Sequence, residues 1–554
     1  MKRFLFVTLA LALVITLGAC TQGQTSAPTA TPGKATAPPA TPESTVDKAN
    51  DGIIETSTGT AFPIVDEPIT LKAFAMAGPY NKGDFNELEI WKVYEEMTNI
   101  HIDFEAYPTS QITEKLSLTL STNQLPDIFF KVGISNADIV KYAGQEILVP
   151  VTDYLADYAP NYSQLLDDYA EVKKTVTMQD GHIYGFPYLV SASVSNLSPK
   201  MFYNAEWMDA LNLSPPETLE DLESVLIEIR DGDPNGNSEK DEIPLGADGL
   251  LQIEKALRGS FGLGTRGSRV LDFDIDETTG KLRYIYTSDE YKALLQYQNK
   301  LYTQRLIDQE IFTADLAGFT AKAEQNIIGF AFIHNHQYLG ETYKENYVGL
   351  AKPLKGPAEK LMYTARTNPV AGQYYFITKT NPYPEASVRW VDYFYSDDGI
   401  RLYFMGMEGV TYELDAEGDP YFNDYVKNNP DGLNWEEALG RFVPWSGGAN
   451  PSIANDKYFG DQVVGQVTSD AAKALMPYTP EEVWGAFSFS EADSTRLSVL
   501  NQDIGTYIID MRSQFITGNA SFDAWDTYVT TLENMGLQEL IEITQRGLDD
   551  YNSR

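Results

Sequence analysis

Residues 69–107 read ITLKAFAMAGPYNKGDFNELEIWKVYEEMTNIHIDFEAY. The first eight alternate and stop at Gly78-Pro79, which predicts a strand running into a loop. Leu88, Ile90, Trp91, Val93 and Tyr94 recur at helical spacing over 85–97. Residues 100–107 alternate again as a second strand. The order strand, helix, strand predicts a parallel sheet covered by helices. Working outward, 111–121 reads as a helix and Asp127-Ile-Phe-Phe as a short buried strand. The alternation continues, so the class is α/β. DETTG, within 272–286, supplies the turn of a hairpin between alternating strands. No internal repeat is visible.

The ends of the chain are of a different kind. Residues 1–19 carry Lys2 and Arg3, an apolar run too short to span a bilayer comfortably, and small residues at the end. This pattern is that of a signal peptide. Leu17-Gly18-Ala19-Cys20 resembles a bacterial lipobox, which implies lipidation at Cys20 and a membrane anchor. Cys20 is the only cysteine. Disulfides, thiolate metal sites and cysteine nucleophiles are therefore excluded from the folded part. Residues 20–60 begin with a Thr-, Ala-, Pro- and Ser-rich tether that lacks the apolar surface to fold.

The remaining stretch is too long for one compact core, so two or more lobes are expected. The formal net charge of −38 argues against nucleic acid as a partner, because no basic stripe exists to replace counterions.

Residues 231–245, DGDPNGNSEKDEIPL, gather oxygen-bearing side chains around Gly236. Hard cations take six to eight oxygens, and a short loop supplies them by folding around the ion. Asp, Asn and Gly suit the tight turns this needs. Two frames fit. Counting from Asp231 gives the EF-hand pattern, with Gly236 sixth and Glu242 twelfth. Counting from Asp233 gives Asp233, Asn235, Asn237, the Glu239 carbonyl, Asp241 and Glu242. Both predict a structural Ca²⁺ at a helix end, after the apolar periodic run 219–229.

Residues 203–245, YNAEWMDALNLSPPETLEDLESVLIEIRDGDPNGNSEKDEIPL, resemble the family 1 extracellular solute-binding lipoproteins of bacterial ABC importers. The likeness is to the long members that bind oligosaccharides. LPDIFF at 125–130, DGHIYGFPY at 180–188, residues 381–414 and residues 522–543 fit the same family in the same order. The resemblance implies the Asp233 frame and a two-lobe, periplasmic-binding-protein-like type II α/β fold with discontinuous lobes. On it, 61–190 and 370–430 form the first lobe, and 191–369 and 431–554 the second. Residues 184–191 and about 369–375 are the expected crossings. The implied partners are an oligosaccharide, the transmembrane subunits of an ABC permease and the membrane, with the protein acting as a monomer.

Aromatic residues make up 12% of the chain, including 34 Tyr. A sugar ring is held by stacking on an aromatic plane with polar groups at its edge, and Tyr and Trp offer both. Most aromatics are core, Trp390 and Trp91 among them. Better pocket candidates stand where strands run into loops or crossings: Tyr80, Phe130, Tyr188, His334 and Trp445. Catalysis has little support. Only four histidines occur, and no G-x-S-x-G elbow. His334 and His336 could share a strand face, without a zinc-binding helix to accompany them. The reading is a binding protein with no catalytic residues. The alternatives are a binder of peptides or other extended solutes, and an exported carbohydrate-active enzyme whose paired carboxylates meet only in space.

Overall fold

The computed structural model describes residues 56–459 and 465–554. The expected signal peptide, Cys20 and most of the tether lie outside the described residues.

The first sheet runs, edge to edge, Ile453–Ala454, Gly185–Val190, Val370–Ile377, Ile128–Phe130, Ile69–Ala77 and Ile100–Pro108. Ile69–Ala77 pairs in parallel with Ile100–Pro108, from Ile69 against Ile100 to Ala77 against Pro108. It also pairs in parallel with Ile128–Phe130. Between the first two strands lies the helix Glu89–Thr98, closed by Asn99 at φ 61°. Asn tolerates that left-handed position. Ile100, Ile102 and Phe104 are buried while His101, Asp103 and Glu105 are exposed, as expected of an edge strand covered on one face. Phe74, Ala75 and Met76 are all buried, because their strand is central and covered on both faces.

The second sheet has the order Tyr347–Gly349, Lys200–Asn204, Ile328–Ile333, Ile243–Ala247. Ile243–Ala247 and Ile328–Ile333 are parallel neighbours, so the chain leaves both at the same edge. The helix Leu219–Asp231 buries Leu222, Val225, Leu226 and Ile229 against this lobe. It starts with a capping box between Thr218 and Asp221. The hairpin forms from Phe273–Asp276 and Lys281–Tyr284.

Each sheet has its own core. Trp91, Phe104, Phe130, Trp390 and Phe394 belong to the first; Trp207, Tyr291, Trp484, Trp525 and Tyr528 belong to the second. The crossings differ from expectation. Gly185–Val190 and Val370–Ile377 are paired strands of the first sheet. The chain enters the second core at Ala192, Val194 and Leu197, and its last second-core residue before Val370 is Ala365, so the passages fall just after Val190 and just before Val370. The stretch 431–458 was expected in the second lobe. Leu439, Val443, Trp445, Ala454 and Tyr458 instead pack in the first core. Ile453–Ala454 adds an edge to the first sheet, and the chain rejoins the second core with Gln466–Leu475.

A seam also joins the lobes beside these crossings. Arg554 donates to the Thr177 carbonyl at the end of the first-lobe helix Ala170–Val176, and to Ser488 Oγ of the second lobe.

Candidate functional site

The parallel pair of the second sheet sets one wall of the site. Asp248 follows Ile243–Ala247, and His334 follows Ile328–Ile333. The His334 ring lies 4.9 Å from that of Tyr338, tilted by 48°. Burial lowers the His334 pKa, the Lys200 ammonium acts the same way, and Asp248 opposes both. The imidazole is thus neutral at neutral pH, with one donor and one acceptor nitrogen. Asp248 Oδ1 and Gln252 Oε1 are buried acceptors that receive no hydrogen bond among the described residues. Such an acceptor is costly unless a donor reaches it.

The opposite wall belongs to the first lobe. Gly78 ends the strand against the 444–446 loop, and a Cβ there would meet Ser446 O at 2.0 Å. Asn81 fixes the turn, donating to Gly440 O at 2.9 Å and Val443 O at 2.8 Å. Ser446 Oγ donates to Asn81 Oδ1 at 2.9 Å. This holds Tyr80 against Glu436, to which its phenol hydrogen-bonds. Burial and then Glu436 raise the Tyr80 pKa, and Tyr338 across the cleft adds to the effect. Burial also raises the Glu436 pKa, against the Tyr80 hydrogen bond. Tyr338 in turn feels both Glu436 and Asp248. Of the residues expected from the sequence, His334 lies against Tyr338, and Tyr80 is within electrostatic reach of the same Tyr338.

Tyr188 lies nearer the crossings. Its phenol pairs with Asn450, and burial pushes its pKa up to about 12. Its ring meets Tyr374 edge-on at 6.4 Å. Tyr374 lines a first-lobe cavity of about 430 Å³ with Met76, Lys131, Gly447 and Ala449. The Arg269 guanidinium of the second lobe lies close by, donating to Val370 O at 2.8 Å.

Two expected site residues belong elsewhere. Phe130 is fully buried, among Trp91, Phe104 and Trp390 at 5.5–5.7 Å. It ends a strand paired on both sides, and its side chain points into the helix layer rather than the following loop. Trp445 is 8% exposed and packs in the first core. Trp435 covers it in a parallel stack at 5.5 Å. The Gly/Pro-rich loop is not free, because the Lys131 ammonium binds the carbonyls of Pro444 and Ser446. His336 is buried, with Nε2 against Lys344 O at 2.6 Å, and shares no site with His334. Asp248, Gln252, Tyr338 and Glu436 escaped the sequence reading. Asp248 alone had a signal, its place directly after an apolar strand.

A larger cavity of about 1150 Å³ lies wholly within the second lobe and contains none of these residues. Size is a poor guide here, because its lining comes from one lobe and it lacks the facing aromatic walls.

The acidic loop has its own geometry. Asp231 is bound by Arg230 in a two-pronged pair, with both distances 2.8 Å, and so is drawn away from the loop interior. Asp233 accepts the backbone amides of Asn237 and Ser238 at 3.1 Å. Asn237 Oδ1 accepts the amide of Glu239 at 2.7 Å. The side-chain amides of Asn235 and Asn237 donate to Asp241. Both Glu242 carboxylate oxygens are buried, and no other described residue donates to them. Burial raises the Glu242 pKa, and Asp241 and Asp233 add to the shift. Among the described residues no three His, Cys, Asp or Glu side chains converge into a metal cluster, since the loop amides hold Asp233 and Asp241. The orphaned Glu242 carboxylate, with Asp233, Asn235, Asn237 and Asp241 around the same turn, is a donor set that fits a hard cation.

Residues 82–400 match the family of bacterial extracellular solute-binding proteins. The chain belongs to that family. It is 28% identical over 522 residues to the fructooligosaccharide ABC transporter substrate-binding protein FusA of Streptococcus pneumoniae, covering 89% of this chain and 93% of that protein. It is 22% identical to the polygalacturonan/rhamnogalacturonan-binding protein YtcQ of Bacillus subtilis, over 81% of this chain and 86% of that one. The structure of FusA in complex with kestose superposes with a TM-score of 0.69 at 26% identity, covering 88% of this chain and all of that one. A FusA EF-hand mutant in complex with fructo-nystose gives 0.68. A human-milk-oligosaccharide-binding protein of Bifidobacterium longum infantis, at 20% identity and a TM-score of 0.74, shares the fold. The two-lobe type II α/β architecture is thus that of solute-binding proteins. FusA is the substrate-binding protein of an ABC transporter, and YtcQ is a glycan-binding protein.

Proposed function

We propose that this protein captures an oligosaccharide between its lobes and delivers it to an ABC permease. What supports this reading is that Tyr338, packed against His334 in the second lobe, is within electrostatic reach of Tyr80 and Glu436 of the first lobe and of Asp248 of its own. The phenol rings supply apolar faces for C–H bonds, and the carboxylates, imidazole and Gln252 supply acceptors for hydroxyls. FusA, with its fructooligosaccharide ligands, supports the choice of sugar over peptide. A ligand touching both walls favours the closed arrangement of the lobes by its differential affinity. Closure presents a composite surface for the permease to recognise.

Titration calorimetry with kestose and longer oligosaccharides tests this, together with chromatography of the recovered sugar. Saturable binding with the sugar intact is expected; shortened products would indicate an enzyme. Tyr338→Ala should weaken binding by about 1–3 kcal/mol, the usual cost of removing an aromatic anchor. A folded Tyr338→Ala protein of unchanged affinity would remove that residue from the site.

The protein is held at the outer face of the cell membrane by a lipid on Cys20 and acts there as a monomer. Among the described residues no helix is long and apolar enough to cross a membrane. Cys20→Ser should release the protein into the medium or leave the precursor unprocessed. Normal processing and membrane retention in that variant would contradict the anchor.

The acidic loop holds a structural Ca²⁺ through Asp233, Asn235, Asn237, the Glu239 carbonyl, Asp241 and Glu242. The Arg230–Asp231 pair favours this frame over the one that starts at Asp231. Glu242, whose buried oxygens receive no hydrogen bond from any other described residue, is the candidate two-oxygen ligand.

A further inference from the structure

The first-lobe cavity of about 430 Å³ lies at the carboxyl ends of two parallel strands. Met76 stands near the end of Ile69–Ala77, and Lys131 to Ser135 follow Ile128–Phe130. Ligands of open α/β sheets bind beyond such ends. The cavity also adjoins the turn that carries Tyr80. Gly447 lines it, and a Cβ on Gly447 would fall 3.0 Å from Gly78 Cα and 3.1 Å from Pro79 Cδ. A glycan resting on Tyr80 can therefore continue into the cavity.

The lining divides by polarity. Met76, Leu120, Val132 and Ile134 are buried, with Ile112 and Leu116 half-buried beside them. Thr113, Ser117, Ser135 and Asp138 are exposed and stand at the mouth. Among the described residues the one buried polar side chain of the lining is Lys131, and its ammonium binds the carbonyls of Pro444 and Ser446. Tyr374 adds an aromatic ring, closely held by two glycines. A Cβ on Gly133 would meet its Cε1 at 2.9 Å, and one on Gly372 its Cζ at 3.1 Å. Lys131 and Ala449, both in the lining, take left-handed φ values of 58° and 56°. Side chains other than Asn and Asp seldom hold that conformation, and such strain gathers at ligand sites.

We propose that, given the oligosaccharide-binding role above, this cavity seats one sugar unit with a methyl-bearing edge inward, as in a 6-deoxy or an acetamido sugar. The methyl group meets Met76, Leu120 and Ile134, and the C–H face of the ring meets Tyr374. The outer hydroxyls reach the mouth. Asp138 Oδ2 accepts from Ser135 Oγ at 2.7 Å, and Asp138 Oδ1 is the acceptor offered to a sugar hydroxyl. A hydroxymethyl group in place of the methyl would carry its O–H into the apolar end. The only buried polar side chain there is already engaged, and an O–H left without a partner is costly.

Calorimetry on the full chain with matched sugars tests this. 2′-Fucosyllactose is compared with the same trisaccharide carrying L-galactose in place of L-fucose, which differs by one hydroxyl. Lacto-N-triose is compared with its counterpart carrying glucose in place of N-acetylglucosamine. Kestose is the methyl-free reference. In at least one pair the methyl-bearing sugar should bind at least about 10-fold tighter than its partner and than kestose, and that pair identifies the source of the methyl group. Tyr374→Ala should weaken the preferred sugar by at least about 10-fold. Leu116→Asn, on the half-buried wall, should narrow the difference within the pair. Equal affinities within both pairs, or kestose tighter than both methyl-bearing sugars, would overturn the preference and leave the oligosaccharide role standing. Unchanged affinities in the folded Tyr374→Ala and Leu116→Asn proteins would overturn the assignment to this cavity. A chain that binds none of these sugars would overturn the preference; a chain that also retains nothing on an array of neutral and acidic glycans would overturn the role itself.

Discussion

Glu254→Ala should destabilise the second lobe by about 3–5 kcal/mol, the cost of leaving buried charge without its partner. Glu254 is fully buried. Its Oε1 accepts from Arg258 Nη2 at 2.5 Å and Nε at 3.2 Å, and its Oε2 from Arg512 Nη1 at 3.2 Å. Arg258 is 2% exposed and also donates to Leu271 O at 2.8 Å and Tyr286 OH at 3.2 Å. Removing the carboxylate strands two guanidinium groups where water cannot replace it. Burial alone would raise the Glu254 pKa, but Arg258 and Arg512 more than offset this and hold it below the usual range. The network's stabilising effect is therefore present above the ordinary carboxylate pKa and is lost as pH falls through the lowered one. Urea unfolding of the variant near neutral pH measures the loss; a change below about 1 kcal/mol would contradict the account. The consequence for function is direct. The network ties the helix Leu250–Leu257 to the long helix Glu491–Thr517, and the first of these follows directly on Asp248. The variant should therefore also bind sugar less tightly.

Chelating calcium should lower the melting temperature. Binding of an ion at about 100 times its Kd adds roughly 2.7 kcal/mol to stability. With the ion removed, Glu242 remains buried beside Asp233 and Asp241, and its pKa is raised. The sign follows from linkage. A carboxylate with a raised folded pKa loses stability as pH climbs from the ordinary carboxylate range through the raised value. In chelator the protein should thus lose stability over that window, and millimolar Ca²⁺ should remove most of the loss. Glu242→Gln should abolish the calcium response while preserving the fold. Equal melting temperatures in chelator and in excess Ca²⁺ would rule out a stabilising site. Sugar affinity should change little, because the loop opens the strand Ile243–Ala247 and the cleft lies at its other end.

What could be read from the sequence was local. The strand–helix–strand start follows from hydrophobic period and from Gly78-Pro79. The hairpin follows from its turn, where Gly280 takes φ 66°. The helix Leu219–Asp231 follows from Thr218, Asp221 and the spacing of its apolar residues. The acidic loop follows from residue type alone.

What failed depended on neighbours distant in the chain. Phe130 looked like a strand end facing a loop, but pairing on both sides with residues far apart in sequence buries it. Trp445 reads as a pocket candidate in a Gly/Pro-rich loop, but Lys131 draws that loop onto the first core. The crossings shifted because 185–190 and 370–377 pair with each other across a gap that no local pattern reports. Asp248 and His334 become neighbours only because their strands lie side by side in parallel. Tyr338 and Glu436 become visible as site residues only once the two lobes are set face to face.

A crystal structure of the protein with its tightest-binding oligosaccharide tests the central claim most directly. The account predicts a sugar held between the lobes, touching Tyr80 or Glu436 on one side and Tyr338, His334 or Asp248 on the other. A sugar bound to one lobe alone, such as in the large second-lobe cavity, would contradict it.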